Sequence, residues 1–462
     1  MRNSPLRLAA VLLTCGALVP AFAEYNQPPR EILDVMRAPP PPSPMLSPTR
    51  ERMLLVTWEP HPSIARVATP YLKLAGVRVE PRNHARHDTT GGYGIVACAR
   101  SMAVARVSDG APADIDLKAV SCATNPRWSL DGERFAFENI TADAVELWVG
   151  DAKSGAAKRV PGVRLNPMFD DEYHWMPDQR SLLVKLVPEG LGEAPAAPEV
   201  PPGPAIQESI GEKGQSSTYE TRDTLRNAHD EDVFDHFAAA QLALVDAATG
   251  RITLLGKPDR YEAIHPAPDG RHVLVTAIRK PYSYVTTYDR FPVEVDVLDI
   301  SAQPARIAYH VASLPLADRV PIRGVRTGAR AFAWRPTEPA TLVWAEALDG
   351  GDPNAKAAER DKVLAIRAPF DRAPRELLRT EQRFGGIGWG ERGGLALLSD
   401  IDVNKRWRRT YVVDIDDPAK PRRLLWDLSF DERYDNPGSP LYRQLPNGGA
   451  VMWQEGDAIF LR

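Results

Sequence analysis

Short runs of alternating apolar and polar residues, separated by turn residues, dominate the chain. The clearest run is Arg127-Trp-Ser-Leu-Asp-Gly-Glu-Arg-Phe-Ala-Phe-Glu-Asn139. An aromatic residue closes one strand, Asp131-Gly132 turns the chain, and alternation resumes in a second strand. A tight hairpin needs φ > 0, which Asp and Gly tolerate best. Residues 145–150 predict a third strand, Lys153-Ser-Gly155 a further turn, and residues 157–160 a fourth strand. The same frame recurs at Tyr173-His-Trp-Met-Pro-Asp178, His265-Pro-Ala-Pro-Asp-Gly270, Trp334-Arg-Pro-Thr337, Trp389-Gly-Glu-Arg392 and Leu445-Pro-Asn-Gly448, with a weaker copy at Leu46-Ser-Pro-Thr49. The shortest interval, from residue 131 to residue 178, is close to the ~40–50 residues of one four-stranded propeller blade. Longer intervals must hold insertions.

Partner strands fit at residues 241–246, 252–255, 362–366 and 410–414. No stretch keeps apolar residues at i, i+3 and i+4 over three turns, which argues against a parallel α/β domain. The expected fold is all-β: a β-propeller of about seven blades over residues 24–462, with a pair of β-sandwiches as the alternative. The last copy stops at Arg462 before an outer strand, so the last blade is expected to be incomplete and the chain to be a truncated or split product.

Three segments interrupt the repeats. Residues 188–217 are rich in Pro, Gly, Glu and Ala and predict a long extended loop. Residues 219–237 hold the one plausible short helix. Residues 60–94 form an insertion in the first repeat, with a basic, His-bearing middle at 78–87.

The N-terminus changes the setting. Arg2 and Arg7 precede a short apolar stretch at residues 8–19, and Ala21-Phe22-Ala23 fits a small-x-small cleavage site. Residues 1–23 are read as a signal peptide, with a periplasmic or secreted mature chain and no membrane span after cleavage. Cys98 and Cys122 then remain, and both a disulfide and two buried thiols fit that compartment. Hydrophobic residues make up 43% and charged residues 26%, and the net charge is −4 with both signs interspersed. That balance argues against a nucleic-acid partner, which wants a basic excess. The 43 prolines favour many turns over long helices.

Catalytic motifs are sparse. No serine sits in a G-x-S-x-G frame, and neither His-Glu-x-x-His nor Cys-x-x-Cys occurs, so no catalytic residue, metal or cofactor is assigned. Gly388-Trp-Gly-Glu-Arg-Gly393 matches a phosphate loop literally but precedes a strand, whereas a phosphate cradle must open a helix. Asp400-Ile-Asp-Val-Asn404 starts like a calcium loop, yet Lys405 stands where Gly is needed. His229-Asp-Glu-Asp232, with Asp235 and His236, reads better as an acidic helix start than as a metal site. Pro281-Tyr-Ser-Tyr284 and Tyr288-Asp-Arg-Phe-Pro292 concentrate aromatic residues around an arginine. Arg290, Tyr282 and Tyr284 are the candidate substrate residues, since an arginine beside tyrosines can hold a carboxylate. Packing of an oversized loop explains the same segment equally well.

These segments also carry a family resemblance. The chain resembles the N-terminal propeller of the prolyl oligopeptidase family of serine peptidases, in its glutamyl endopeptidase-like branch. The matching residues are Pro28-Pro-Arg-Glu-Ile-Leu-Asp34, Ala38-Pro-Pro-Pro-Pro42, Lys73-Leu-Ala-Gly-Val-Arg78, Val145-Glu-Leu-Trp148, Gln207-Glu-Ser209, Thr218-Tyr-Glu-Thr-Arg-Asp223, Pro281-Tyr-Ser-Tyr284, Arg290-Phe-Pro292, Trp334-Arg-Pro336 and Ala347-Leu-Asp-Gly-Gly-Asp352. The resemblance implies a propeller that caps a C-terminal α/β-hydrolase domain and limits which peptides reach it. The family's catalytic triad lies in that other domain. No residue here matches it, so none is carried over. The region around residues 83–94 departs from the family's regular polar pattern. The expected function is therefore the substrate-gating part of an exported serine peptidase, inactive alone and acting on peptides once joined to a hydrolase domain. The alternative is a free-standing periplasmic scaffold or binding protein.

Overall fold

Period-two alternation lets each strand bury both its faces, each against a different neighbouring sheet. The computed structural model of the chain describes residues 27–89, 92, 94–200 and 221–462. It divides into two units, Met1–Pro40 and Pro41–Arg462. In the first, residues Arg30–Arg37 form a helix that sequence periodicity does not announce.

The second unit is a succession of antiparallel four-stranded meanders. The first comprises Ser43–Leu46, Arg52–Trp58, Ala99–Arg106 and Pro112–Asp114, and the second Ala123–Trp128, Arg134–Ile140, Val145–Asp151 and Ala157–Arg159. One residue pair, Ala99 with Ala123, joins these two into a continuous sheet. The third runs through Tyr173–Trp175, Ser181–Leu186, Gln241–Asp246 and Ile252–Leu254, and the fourth through Tyr261–Pro266, His272–Ile278, Val293–Asp299 and Arg306–Leu314. The fifth holds Ala329–Trp334, Thr341–Ala347, Asp361–Arg367 and Arg375–Thr380, and the sixth Arg383–Trp389, Leu395–Asp402, Trp407–Asp414 and Arg423–Ser429. Two short hairpins follow: Tyr442–Gln444 with Ala450–Met452, and Gln454–Glu455 with Ala458–Ile459.

The core shows how the meanders stack. Phe135 and Phe137 pack on Leu54, Val56 and Met102 of the first meander, while Ala136 between them faces Leu182 and Val184 of the third. Leu183 points the other way, toward Ile264, Val273 and Val275 of the fourth. Leu274 and Val295 meet Leu342 and Trp344 of the fifth, and Val343 and Val363 meet Trp389 and Ala396 of the sixth. Each of the second to fifth sheets is thus sandwiched between the one before and the one after. Fully burying one such Leu or Phe contributes about 1.5–3 kcal/mol. Radial stacking of this kind makes the chain a β-propeller.

All seven turns expected from the repeat fall between the first and second strand of a meander or, for the last, of a two-stranded hairpin. Gly132 and Gly270 take φ +71° and +65° there, and Gln179 takes +59° where the third copy lacks glycine. The first strands and their turns line a central cavity of about 490 Å³. The hairpin Tyr442–Met452 reaches several meanders around it. Gln179 Nε2 donates to the Pro446 carbonyl at 2.6 Å, and Asn447 Nδ2 donates to that of Pro336 at 2.9 Å. The Arg50 guanidinium lies 4.0 Å over the Trp453 ring and donates to the Tyr442 carbonyl.

The helix expected within 219–237 is present as Ala228–Ala238. It is not the only one, because Arg30–Arg37 and Ile64–Val67 are also helical. Cys98 and Cys122 form a disulfide. Among the described residues no helix is long and apolar enough to cross a membrane. Residues 1–23, expected to be a signal peptide, and residues 201–217 of the Pro-rich loop lie outside the described residues.

Candidate functional site at the insertion-bearing end

In an antiparallel meander the first-to-second and third-to-fourth connections lie at one end, and the second-to-third connection lies at the other. The three long insertions, at residues 59–98, 187–240 and 279–292, all join second to third strands. They therefore emerge at the same end. There they share one apolar cluster containing Leu74, Val77, Phe234, Phe237, Tyr282 and Phe291.

Hydrogen bonds lock the insertions together. Leu72–Leu74 pairs with Val77–Val79 in a hairpin turned by Ala75 and Gly76, both with positive φ (+51° and +92°). That is the turn type a two-residue hairpin favours. The Gly76 N–H donates to the Asp223 carbonyl at 3.0 Å, and the Ala75 carbonyl accepts the Tyr288 N–H at 2.9 Å. Arg78 Nε donates to Asp223 Oδ2 at 2.8 Å, and Lys73 Nζ lies 3.3 Å from Asp223 Oδ1. The sequence segments 73–78, 218–223, 281–284 and 290–292, which carry the family resemblance, thus meet here wherever they are described.

Helix Ala228–Ala238 is the floor of this site. The Asn227 side chain caps its start by accepting the Asp230 N–H at 2.9 Å, and Asp230 and Glu231 occupy the first turn, where the helix dipole favours acids. Three of the acids, Asp230, Glu231 and Asp235, stand in ion pairs. Asp230 pairs with Arg226 at 2.8 Å, and Asp235 pairs with Arg260 at 2.9 Å and Lys280 at 3.1 Å. His236 stands beside the His84 ring, 6.0 Å between centroids.

Tyr282 is buried, stacked on Phe291 at 5.0 Å, and its hydroxyl donates to Asp235. Burial and the Asp235 carboxylate both push the Tyr282 phenol well above its ordinary value. Burial pushes Asp235 up, but the bonds from Tyr282, Arg260 and Lys280 outweigh it and leave the carboxyl low. The Tyr284 hydroxyl donates to Glu231 Oε1 at 2.8 Å, and burial and Glu231 push its phenol up to about 12. Both tyrosine hydroxyls are therefore engaged by the helix. Arg290 is half-buried in the turn Tyr288–Arg290 of the same segment, and its carbonyl accepts the Ala317 N–H at 2.9 Å. Arg326 braces the segment by donating to the carbonyls of Asp289, Phe291 and Pro315 at 3.3, 3.0 and 2.8 Å. The three candidate residues thus share one segment, with the tyrosines fastening it to the helix.

A second concentration of polar chemistry lies along the channel, and motif spacing did not reveal it. His174 and His265 line the cavity, and Asp171 sits beside both. Behind them a carboxyl pair, Glu138 and Glu172, is buried with Asn125 and Arg127. Burial and the Glu172 charge push Glu138 up. Burial also works against Glu172, but its hydrogen bond with Glu138 and the charges of Arg127 and Lys185 pull it down. The Lys185 ammonium, fully buried, donates to the carbonyls of Asp170 and Glu262. The Gly388–Gly393 and Asp400–Asn404 stretches lie in strands and turns of the sixth meander, as expected for structural turns.

Comparison with known proteins gives the fold a lineage. The chain is 32% identical over 450 residues to a probable chloroplastic glutamyl endopeptidase of Oryza sativa subsp. japonica, covering 94% of this chain and 46% of the relative. It is 32% identical over 445 residues to the Arabidopsis thaliana protein of the same name, covering 93% and 45%. The chain therefore spans about half the length of the curated relatives it matches. No family model matches it. Among solved structures, a prolyl endopeptidase aligns with TM-score 0.43 and 12% identity over 89% of this chain and 49% of that one. The β-propeller domain of the trilobed protease from Pyrococcus furiosus aligns with TM-score 0.38 and 10% identity over 83% and 82%. Over nearly its whole length this β-propeller is therefore similar in sequence to plant proteins named as probable glutamyl endopeptidases.

Proposed function

We propose that this chain is the substrate-gating propeller of an exported serine peptidase, inert until it meets a hydrolase domain. The observation that carries the reading is the gathering of three insertions at one end. Loops on a rigid scaffold are where propellers place recognition. The 32% identity to glutamyl endopeptidases supports the peptidase setting. In this reading the insertion-bearing end faces the hydrolase domain and admits peptides. Arg290 supplies positive charge to an acidic side chain of the peptide, while Tyr282 and Tyr284 hold the segment that presents it. Export rests on the apolar stretch and Ala21-Phe22-Ala23 near the N-terminus.

The test is reconstitution. The chain is mixed with a separately expressed hydrolase domain of a glutamyl endopeptidase, and cleavage of a Glu-containing peptide is followed. The expected result is no cleavage by the chain alone, cleavage by the mixture, and a selective loss for acidic peptides in Arg290→Ala. Cleavage by the chain alone overturns inertness. Identical activity of the hydrolase domain with and without the chain overturns gating. A free-standing binding propeller is the second reading, favoured by the contacts of Arg50 with Tyr442 and Trp453 that tie the C-terminal hairpin segment to the first meander.

A further inference from the structure

His174 and His265 occupy the same place in successive repeats, four residues before Asp178 and Asp269 respectively. Equivalent positions in adjacent meanders are neighbours around a propeller channel. The two rings stand 6.2 Å apart, tilted at 70°. Asp171 lies between them, its Oδ2 3.7 Å from His265 Nδ1 and its Oδ1 in contact with His174 Nε2. The donor atoms of all three residues fall within 4.8 Å of one another. Among the described residues this is the one group of three or more metal-ligating side chains so placed.

We propose that Asp171, His174 and His265 form a binding site for a divalent transition-metal ion of the zinc type on the channel wall, bridging the third and fourth meanders. Two imidazole nitrogens and one carboxylate oxygen are the donor set that borderline ions prefer over calcium or magnesium. Bonds of about 2.0–2.1 Å at tetrahedral angles set donors roughly 3.3 Å apart, so the 3.7 Å separation closes slightly while the direct Asp171–His174 contact opens. The aspartate is already aimed. Asp170 and Asp171 both hold φ +54°, a backbone region that only a fixed surrounding maintains, and Asp171 Oδ2 accepts the Ile264 N–H at 2.9 Å. The His265 carbonyl accepts the Trp334 indole N–H at 2.9 Å, which fixes the backbone of the second ligand. Among the described residues three protein ligands converge, and the cavity beside them leaves the fourth position for water or for a carboxylate or imidazole of a channel ligand. The competing arrangement is an ordinary Asp171–His174 ion pair that an ion would replace. This assignment is independent of the peptidase reading.

Zn2+ titration of the full chain against a chromogenic chelator tests the site, with Co2+ absorption as a second readout. One ion is expected to bind per chain and to raise the thermal midpoint. His265→Asn and His174→Asn are each expected to weaken binding by at least about tenfold. The control His310→Asn, which alters a histidine paired with Asp296 and Glu294, is expected to leave binding unchanged. His265 is half exposed, so its variant decides the matter if His174→Asn does not fold. Two results overturn the proposal: no binding at roughly 100 µM Zn2+, well above the affinity range of three-ligand protein sites, or binding of unchanged affinity in His265→Asn.

Discussion

The Cys98 sulfur is bonded to that of Cys122, one residue before Ala99 pairs with Ala123 at the single bridge between the first two meanders. The covalent link therefore stands where the hydrogen-bonded seam is thinnest. The Trp128 indole adds a tie between the same two meanders, donating to the Met45 carbonyl at 2.8 Å.

Removing that link is expected to loosen the first meander. The double variant Cys98→Ser/Cys122→Ser should lose about 2–4 kcal/mol, the usual effect of opening a loop of this size. Urea unfolding of the variant beside the oxidised parent reads the loss, and adding reductant to the parent should reproduce it. Equal midpoints in all three samples would show the bond to be dispensable.

Tyr282→Phe removes the hydroxyl that Asp235 accepts while Arg260 and Lys280 remain. A hydrogen bond to a charged group typically contributes about 1.5–3 kcal/mol, so a loss in that range is expected. Tyr284→Phe should cost less, about 0.5–1.5 kcal/mol, because its ring is only half-buried. Chemical denaturation of both variants checks the order.

Glu262 supplies a pH dependence. Burial raises its carboxyl to about 7, with Asp289 adding to the rise and Arg326 and Lys185 opposing it. The folded group holds its proton more tightly than the unfolded one. Its contribution is therefore complete below about pH 4.5 and is lost as pH rises through 7. Glu262→Gln should remove that decline. Its stability advantage over the parent should grow between pH 5 and pH 8 to the order of 1–3 kcal/mol, read from urea titrations at both pH values.

Gly76→Ala tests how tightly the insertions are assembled. Its φ of +92° disfavours any side chain, and an added Cβ would meet Thr287 Cγ2 at 2.6 Å. A destabilisation of about 1–3 kcal/mol is expected. Hydrogen exchange should show it concentrated in residues 279–292. Protection unchanged in that segment would refute the close contact.

Much of the propeller was legible because its signals are local. An Asp-Gly pair needs only its own φ angles, and alternation in Phe135, Ala136 and Phe137 needs only the pleat of one strand. Those signals placed all seven turns and their strands. The helix Arg30–Arg37 escaped because eight residues are too few for a periodic pattern. The clustering of Tyr282 and Tyr284 near an arginine was visible, but not that their hydroxyls reach Asp235 and Glu231, which belong to another insertion. The channel group was legible in principle, since His174 and His265 share a repeat position, yet a search by motif spacing passes over ligands 91 residues apart.

The sequence by itself determined where the chain turns, which residues alternate into a core, and, at 32% identity, its likeness to plant proteins named as glutamyl endopeptidases. Tertiary structure alone decided which insertions share an end, that Cys98 and Cys122 are joined, and that Asp171 stands between two histidines. Strand and turn preferences act over a few bonds, whereas these contacts depend on the radial stacking of whole sheets, which brings distant segments to within a few ångströms.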